Sequence, residues 1–238
     1  MDICSIILSA GKGNRMLSSI PKPLNNISGK TMLQWVIDAN KAAEINRSII
    51  VIPENNREIA EVTKEFETVV QPLPLGTGDA VIKAKKLLKD FNGIVIVCFA
   101  DTPFISPSTL KKIIKTFENG SKLTISGFKK YETNNYGKII FSEKNDLLEI
   151  IEEKDTKLRN IKSDFCNGGI MAIHSSILEC LDEIQSNKIT QEIYLTEIVK
   201  IVNQHNKKIT FVEIDENEIL GINNQLDLAD AERISQNA

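Results

Sequence analysis

The sequence predicts an α/β fold: a doubly wound, mostly parallel sheet that carries a smaller β-rich lobe. Three observations predict it. Apolar strand-like runs and helical patterns alternate from Ile3 to Phe117, the order that builds a parallel sheet covered on both faces. Gly93-Ile-Val-Ile-Val-Cys-Phe99 is apolar almost without a break, as a central strand buried on both sides must be. Beyond Phe117 the alternation stops, and short strand-like runs follow one another between polar turns.

Taken in order, the first strand is Ile3 to Leu8 and ends in Ser9-Ala10-Gly11-Lys12-Gly13-Asn14-Arg15-Met16. Ser18 to Gly29 contains Pro21-Lys22-Pro23 and is expected to be rigid and non-helical, because proline fixes its own φ and restricts the residue before it. Thr31 to Ala43 has helical apolar spacing, with Trp35 assigned to packing. Ser48 to Ile52 is a second strand closed by Pro53, Asn55 to Phe66 its helix, and Val69-Val70 a short third strand. The helix over Ala80 to Lys89 carries Lys83, Lys85, Lys86 and Lys89, a basic run that reads as a solvated face. Ser106 and Pro107 supply the N-cap and first-turn proline of the helix after the central strand. Lys122 to Phe128, Tyr136 to Phe141 and Leu147 to Glu152 read as strands of the lobe, with a polar turn over Tyr131 to Asn135. Phe165 to Ile173 returns as a strand, and Ser176 to Ile184 and Tyr194 to Asn203 as helices. Ile209 to Ile214 is a further strand, and Gly221-Ile-Asn-Asn224 leads into a last helix through Ile234. With no internal repeat, low-complexity tract or linker, residues 1–238 are expected to form a single domain.

At 238 residues the chain is long enough to bury a sizeable core. A net charge of −3 argues against a nucleic-acid partner, whose binder would show a basic stripe. No run approaches the roughly 18 apolar residues of a membrane span. The N-terminus begins directly on a strand rather than on a signal-peptide pattern. Cys4, Cys98, Cys166 and Cys180 form no C-x-x-C pair and suit a reducing compartment, so a cytoplasmic protein without a membrane partner is expected. His174 and His205 lack metal-spaced partners and read as surface or cap residues.

The chemistry concentrates at strand ends. Gly11 and Gly13 let the backbone approach a ligand, while Lys12 and Arg15 add cations to N–H groups that can cradle an anion. The competing reading is an ordinary turn with solvated charges. A dinucleotide fingerprint would need glycine where Met16 stands, and no Gly-Lys-Ser/Thr of a Walker loop is present. Lys22, between two prolines, has its direction held by the backbone; alone it could equally be a surface lysine in a turn. Gln71-Pro-Leu-Pro-Leu-Gly76-Thr77-Gly78-Asp79 offers bare N–H groups and a hydroxyl to a base or phosphate edge. Asp101, closing the central strand, is placed for Mg²⁺, which prefers hard oxygen ligands; the alternative is a local turn bond before Pro103. Asn167-Gly168-Gly169 allows close approach to a ligand, whereas Glu152-Glu-Lys-Asp155 by itself reads as solvated.

Together these segments resemble the sugar-1-phosphate nucleotidyltransferases, and within them the uridylyltransferase domains of the bifunctional N-acetylglucosamine-1-phosphate uridylyltransferase/glucosamine-1-phosphate acetyltransferases. The resemblance covers nearly the whole chain. It rests, in family order, on Leu8-Ser-Ala-Gly-Lys-Gly-Asn-Arg-Met16, Pro21-Lys22, Leu75-Gly-Thr-Gly78, Ala100-Asp101-Thr-Pro103, Tyr136-Gly137-Lys-Ile139, Ile151-Glu152-Glu-Lys-Asp155, Asn167-Gly-Gly-Ile170, Tyr194-Leu-Thr-Glu197 and Gly221-Ile-Asn-Asn224. It implies a Rossmann-like three-layer sandwich with a mixed, mostly parallel central sheet, of the nucleotide-diphospho-sugar transferase type. Residues 1–120 would form the nucleotide-binding half and 121–238 the sugar-binding half, without the C-terminal β-helix that transfers acetyl groups. The implied reaction joins UTP and N-acetylglucosamine 1-phosphate, with Mg²⁺, to give UDP-N-acetylglucosamine and pyrophosphate. The alternatives are a uridylyl- or cytidylyltransferase for another sugar or alcohol phosphate, and an inactive nucleotide-sugar sensor, which retention of Arg15, Lys22 and Asp101 disfavours. The resemblance assigns Ala10, Gly11 and Gly13 to the nucleotide, Arg15 to the β,γ-phosphates and Lys22 to the α-phosphate. Gln71, Gly76 and Thr77 would read uracil, Asp101 and Asn223 would ligate Mg²⁺, and Gly137, Glu152 and Asn167 would bind the sugar. Phe99-Ala100 stand where the family commonly has tyrosine-glycine, and Gly168 where it has threonine.

Overall fold

The computed structural model describes residues 1–130, 136–153, 155 and 163–236. The polar turn expected over Tyr131–Asn135 and Lys154 of the Glu152–Asp155 motif lie outside the described residues. The chain runs β1 (Asp2–Leu8), β2 (Asn26–Ile27), β3 (Lys30–Thr31), α1 (Met32–Ala42), β4 (Arg47–Pro53), α2 (Arg57–Val62), β5 (Glu67–Gln71), α3 (Thr77–Lys85), β6 (Gly93–Phe99) and α4 (Pro107–Lys115). It continues with β7 (Leu123–Lys129), β8 (Lys138–Phe141), β9 (Leu147–Ile151), β10 (Phe165–His174), α5 (Ile198–Gln204), β11 (Ile209–Glu213) and α6 (Gln225–Gln236).

Among the described residues nine strands form one sheet in the order β11-β7-β10-β6-β1-β4-β5, with β8 paired to β10 and β9 to β8. β1 is parallel to both neighbours, Ile6 lying opposite Ile49 of β4 and Val97 of β6. The chain leaves β1 on the β4 side and returns to β6 on the other. The loops after β1 and β6 therefore diverge and open a crevice at their carboxyl ends, the switch point at which such sheets bind ligands. β10 is antiparallel to β6 and β7, and β11 is parallel to β7, so the sheet is mixed as expected.

Period-2 alternation divides the core between two faces. Cys4, Ile6, Ile49, Val51, Val95 and Val97 pack with Ala80, Val81 and Ala84 of α3 and with Ile198 and Val202 of α5. Ile7, Ile50, Ile94, Ile96 and Cys98 pack with Leu33, Val36 and Ile37 of α1 and with Leu110 and Ile113 of α4. Sheet and two helical layers make the sandwich. Trp35 is a packing residue as expected: it lies against a cluster formed by Ile27, Met32, Ile222 and Ala231, and its Nε1 donates to the carbonyl of Ile27 (3.0 Å).

Local structure departs from expectation in several places: the helices expected over Asn55–Phe66 and Ala80–Lys89 are Arg57–Val62 and Thr77–Lys85, the latter followed by a 3₁₀ turn over Lys86–Leu88. Ser18–Gly29 is not free of helix: Lys22–Leu24 forms one 3₁₀ turn, because a proline in the first turn has no N–H to satisfy there. Ser175–Glu183 is 3₁₀ rather than α-helical. Its apolar pairs Ile177/Cys180 and Leu178/Leu181 recur every third residue, a period that suits the tighter helix. Tyr194–Asn203 likewise opens with a 3₁₀ turn, Leu195–Glu197, before α5. The lysines after Gly78 are not simply solvated: Lys83 pairs with Asp79 (3.2 Å), and Lys85 with Glu179 (3.1 Å) and Asp182 (2.5 Å). No described helix is long and apolar enough to cross a membrane.

Candidate active site

The loop after β1 is shaped by one position. Gly13 has φ +61, and a Cβ there would lie 2.6 Å from Cβ of Lys22, so a side chain is excluded twice over. The Met16 N–H donates to the Gly13 carbonyl (2.9 Å) and closes the 3₁₀ turn Asn14–Met16. From that turn Arg15 reaches across to Asn223, its Nη2 donating to Oδ1 at 3.0 Å.

Lys22 is the centre of the charged wall. Its Nζ donates to Oδ2 of Asp101 and to Oδ1 of Asn223, the latter at 2.9 Å. The Lys22 side chain is 11% exposed and that of Asp101 29%, so this pair is shielded well beyond an ordinary surface bridge. The Asn223 loop is tied to the end of β6, Ile222 N–H donating to the Asp101 carbonyl (3.0 Å). Nδ2 of Asn223 is spent on the Gly221 carbonyl (3.1 Å), which leaves Oδ1 facing the cations. A carboxylate and an amide oxygen thus converge on one positive charge, with the Lys22 ammonium standing in for it. That all-oxygen donor set fits a hard divalent cation such as Mg²⁺.

The opposite wall follows β5. Gln71 is buried, and its Nε2 donates to the Gly76 carbonyl (3.0 Å) and to Oδ2 of Asp79 (2.8 Å). Gly76 has φ +115, and a Cβ would meet the Ile193 carbonyl oxygen at 2.4 Å. Close pairing explains that approach: Ile193 N–H donates to the Leu75 carbonyl (2.7 Å) and Gly78 N–H to the Ile193 carbonyl (2.8 Å). Thr77 Oγ1 accepts from the Leu195 N–H at 3.0 Å, so this hydroxyl is committed to the fold at its acceptor side.

Between the walls lies a cleft of about 770 Å³. Of the residues singled out in the sequence, it brings together Ala10, Gly11, Lys12, Gly13, Arg15, Lys22, Gln71, Gly76, Thr77, Asp101 and Asn223. Gly137, Glu152 and Asn167 do not line it. They meet one another instead: Asn167 N–H donates to the Gly137 carbonyl (2.8 Å), and a Cβ on Gly137 would stand 3.7 Å from Cα of Glu152. Glu152 Oε1 accepts from Thr196 Oγ1 (2.6 Å), one residue beyond the contact of Leu195 with Thr77, so the two clusters are coupled through the 193–196 segment. Burial raises the Glu152 carboxyl above its ordinary value of 4.5; the Thr196 hydrogen bond opposes that shift, and the carboxylates of Asp155, Glu197 and Glu192 reinforce it.

Glu192 also lines the cleft, and nothing in its local sequence marks it. His174 is a cap, as expected, its Nδ1 accepting from the Ser176 N–H (3.1 Å). His205 does have partners: its Nε2 lies 2.8 Å from Oε1 of Glu183, and Cys180, Glu183 and His205 place ligand-type atoms within 4.8 Å of one another. Only folding brings α5's end to Glu183, so sequence spacing could not reveal it.

A glycine loop at the switch point of the sheet and two cations that converge on Asn223 across the cleft define a nucleotidyltransferase of the sugar-phosphate type. The chain belongs to the MobA-like NTP transferase domain family, whose model matches residues 5–184. It is 37% identical over 238 residues to a bifunctional protein GlmU of Clostridium kluyveri, and 35% over 241 residues to one of Ruegeria sp.. These matches cover 98% and 99% of this chain but 52% and 53% of the relatives, so the chain spans about half their length. A solved UDP-glucose pyrophosphorylase complexed with UDP-glucose has the same fold, with TM-score 0.78 over 100% of this chain and 99% of that one, at 20% identity.

Proposed function

We propose that the protein joins UTP and N-acetylglucosamine 1-phosphate to form UDP-N-acetylglucosamine and pyrophosphate. The observation that carries the reading is the convergence of Arg15, Lys22, Asp101 and Asn223 on one wall of a cleft whose other wall is Gln71-Gly76-Thr77. An oxygen of the sugar phosphate attacks the α-phosphorus of UTP in line as pyrophosphate leaves. Both reactants are polyanions, so the barrier is set by bringing their charges together, and positioning with fixed positive charge is what lowers it. Gly11, Gly13 and Arg15 bind the β,γ-phosphates, and Lys22 neutralises charge at the α-phosphate. Asp101 and Asn223 would hold Mg²⁺, which when bound neutralises phosphate charge. Ala10, Gln71, Gly76 and Thr77 face the nucleoside, and Gly137, Glu152 and Asn167 take the sugar. Residues 1–120 thus serve the nucleotide and 121–238 the sugar, with Asn223 crossing between them. The four cysteines are free and buried, which supports a reducing, cytoplasmic setting.

The test is pyrophosphate release over a panel of UTP and CTP against N-acetylglucosamine 1-phosphate, glucose 1-phosphate and an alcohol phosphate. We expect UTP with N-acetylglucosamine 1-phosphate to give the highest kcat/KM. Turnover confined to CTP, or preference for another phosphate acceptor, overturns the substrate assignment.

A further inference from the structure

Gln71 lines the cleft, and its side-chain amide has two chemically opposite ends. Its Nε2 donates to the Gly76 carbonyl (3.0 Å) and to Oδ2 of Asp79 (2.8 Å). Neither partner can donate in return. One is a backbone carbonyl; the other is a carboxylate whose Oδ1 is paired with the Lys83 ammonium at 3.2 Å. Flipping the amide would set its oxygen against two acceptors in a site where both Gln71 and Asp79 are 6% exposed, and such a clash is not solvated away. No described residue donates to Gln71 Oε1, so the carbonyl is the end left for a ligand. Asp79 itself does not line the cleft.

We propose that Asp79, anchored by Lys83, is a positioning residue for base selection: it locks Gln71 with its carbonyl toward the nucleotide, so the site takes a base that presents a ring N–H and rejects one that presents a ring-nitrogen lone pair. The inference deepens the proposed function and rests on its placement of the base beside Gln71. Uracil offers N3–H to the carbonyl, whereas cytosine sets the N3 lone pair against it. Sequence marks Gln71 as a candidate base reader, but which end of it reads is decided by a residue eight positions on, in the first turn of α3.

Calorimetric binding of UTP, CTP and N3-methyl-UTP, without sugar phosphate, tests the idea independently of the acceptor. Wild type is expected to bind UTP at least tenfold more tightly than CTP or N3-methyl-UTP. In Asp79→Asn, which keeps the shape but can donate to a flipped Gln71, the UTP/CTP ratio is expected to fall about tenfold, mainly through weaker UTP binding. Lys83→Met should move the ratio the same way by less, and decides the matter if Asp79→Asn does not fold. Parallel thermal melts separate selectivity from stability. A wild-type preference for UTP that survives intact in a folded Asp79→Asn or Lys83→Met overturns the role of Asp79 and leaves the substrate assignment standing. Equal binding of UTP, CTP and N3-methyl-UTP by wild type overturns both. Turnover with a different sugar phosphate, alongside a wild-type preference for UTP that falls in Asp79→Asn, overturns only the acceptor assignment and upholds Asp79.

Discussion

Glu152 shows how a single side chain can set stability against binding. Its carboxyl is held above the ordinary 4.5 by burial and by the neighbouring carboxylates of Asp155, Glu197 and Glu192, with the hydrogen bond from Thr196 pulling the other way. Because the folded pKa is the higher one, the folded state retains a proton that the unfolded state has lost. The protonated group's contribution is therefore fully present below pH 4.5 and is lost as pH rises through the folded value. Glu152→Gln keeps the acceptor for Thr196 and has no proton to lose. The variant should melt above wild type at pH 7, with the gap closing as pH falls toward 4.5. Its KM for the sugar phosphate should rise about tenfold, since a carboxylate accepts from sugar hydroxyls more strongly than an amide. A gap in melting temperature that stays constant from pH 4.5 to 7 sinks the electrostatic account. Local pattern left Glu152 as a solvated charge, and only the family resemblance pointed to it, because its hydrogen-bond partner Thr196 stands 44 residues away.

The start of α3 is held as an element by the 193–196 segment rather than by a cap of its own. Gly76 makes no side-chain cap, and Thr77 Oγ1 accepts from Leu195 N–H while Gly78 N–H donates to Ile193. Thr77→Val conserves shape and removes that acceptor. It should cost about 1–3 kcal/mol in denaturant unfolding, the penalty for a buried N–H left unpaired. If instead stability is unchanged and only UTP affinity drops, Thr77 acts on the nucleotide alone. Elements of this kind divide by how local their causes are. β6 spans Gly93–Phe99 as read, because an apolar run of that length has one stable use, and Ser106-Pro107 opens α4 through its own side chain. β10 was legible as a strand, yet its antiparallel place between β6 and β7, and the register shift between Asn167 and Met171, depend on partners that no local pattern specifies. The ion pair between Lys22 and Asp101 spans 79 residues; each group was visible as a candidate, their meeting was not.

At the scale of the molecule, the cleft is closed by joining the two ends of the chain. Asn223 accepts from Arg15 and Lys22, Gln225 Nε2 donates to the Met16 carbonyl (2.7 Å), and Ser28 N–H donates to Glu232 (2.6 Å). Beneath these contacts Ile222 and Ala231 seal Ile27 and Met32, all fully buried. Every strand of the large sheet precedes this closure, the last ending at Glu213. A chain stopped after Leu220 should therefore keep its strand content while exposing part of the Ile27–Met32 surface, a loss of roughly 2–4 kcal/mol by area. For a chain of this size that corresponds to melting about 5–15 °C lower. Catalysis should suffer far more. Without Asn223, Arg15 loses its anchor and Lys22 keeps only Asp101, so kcat should fall by about a hundredfold or more, as when a preorganised charge is removed from a transferring phosphoryl group. Circular dichroism and pyrophosphate release on the same preparation separate the two effects. A truncated protein with native strand content and undiminished turnover would show that the ends meet for stability alone; loss of turnover with the sheet intact shows that joining them is what assembles the charged wall.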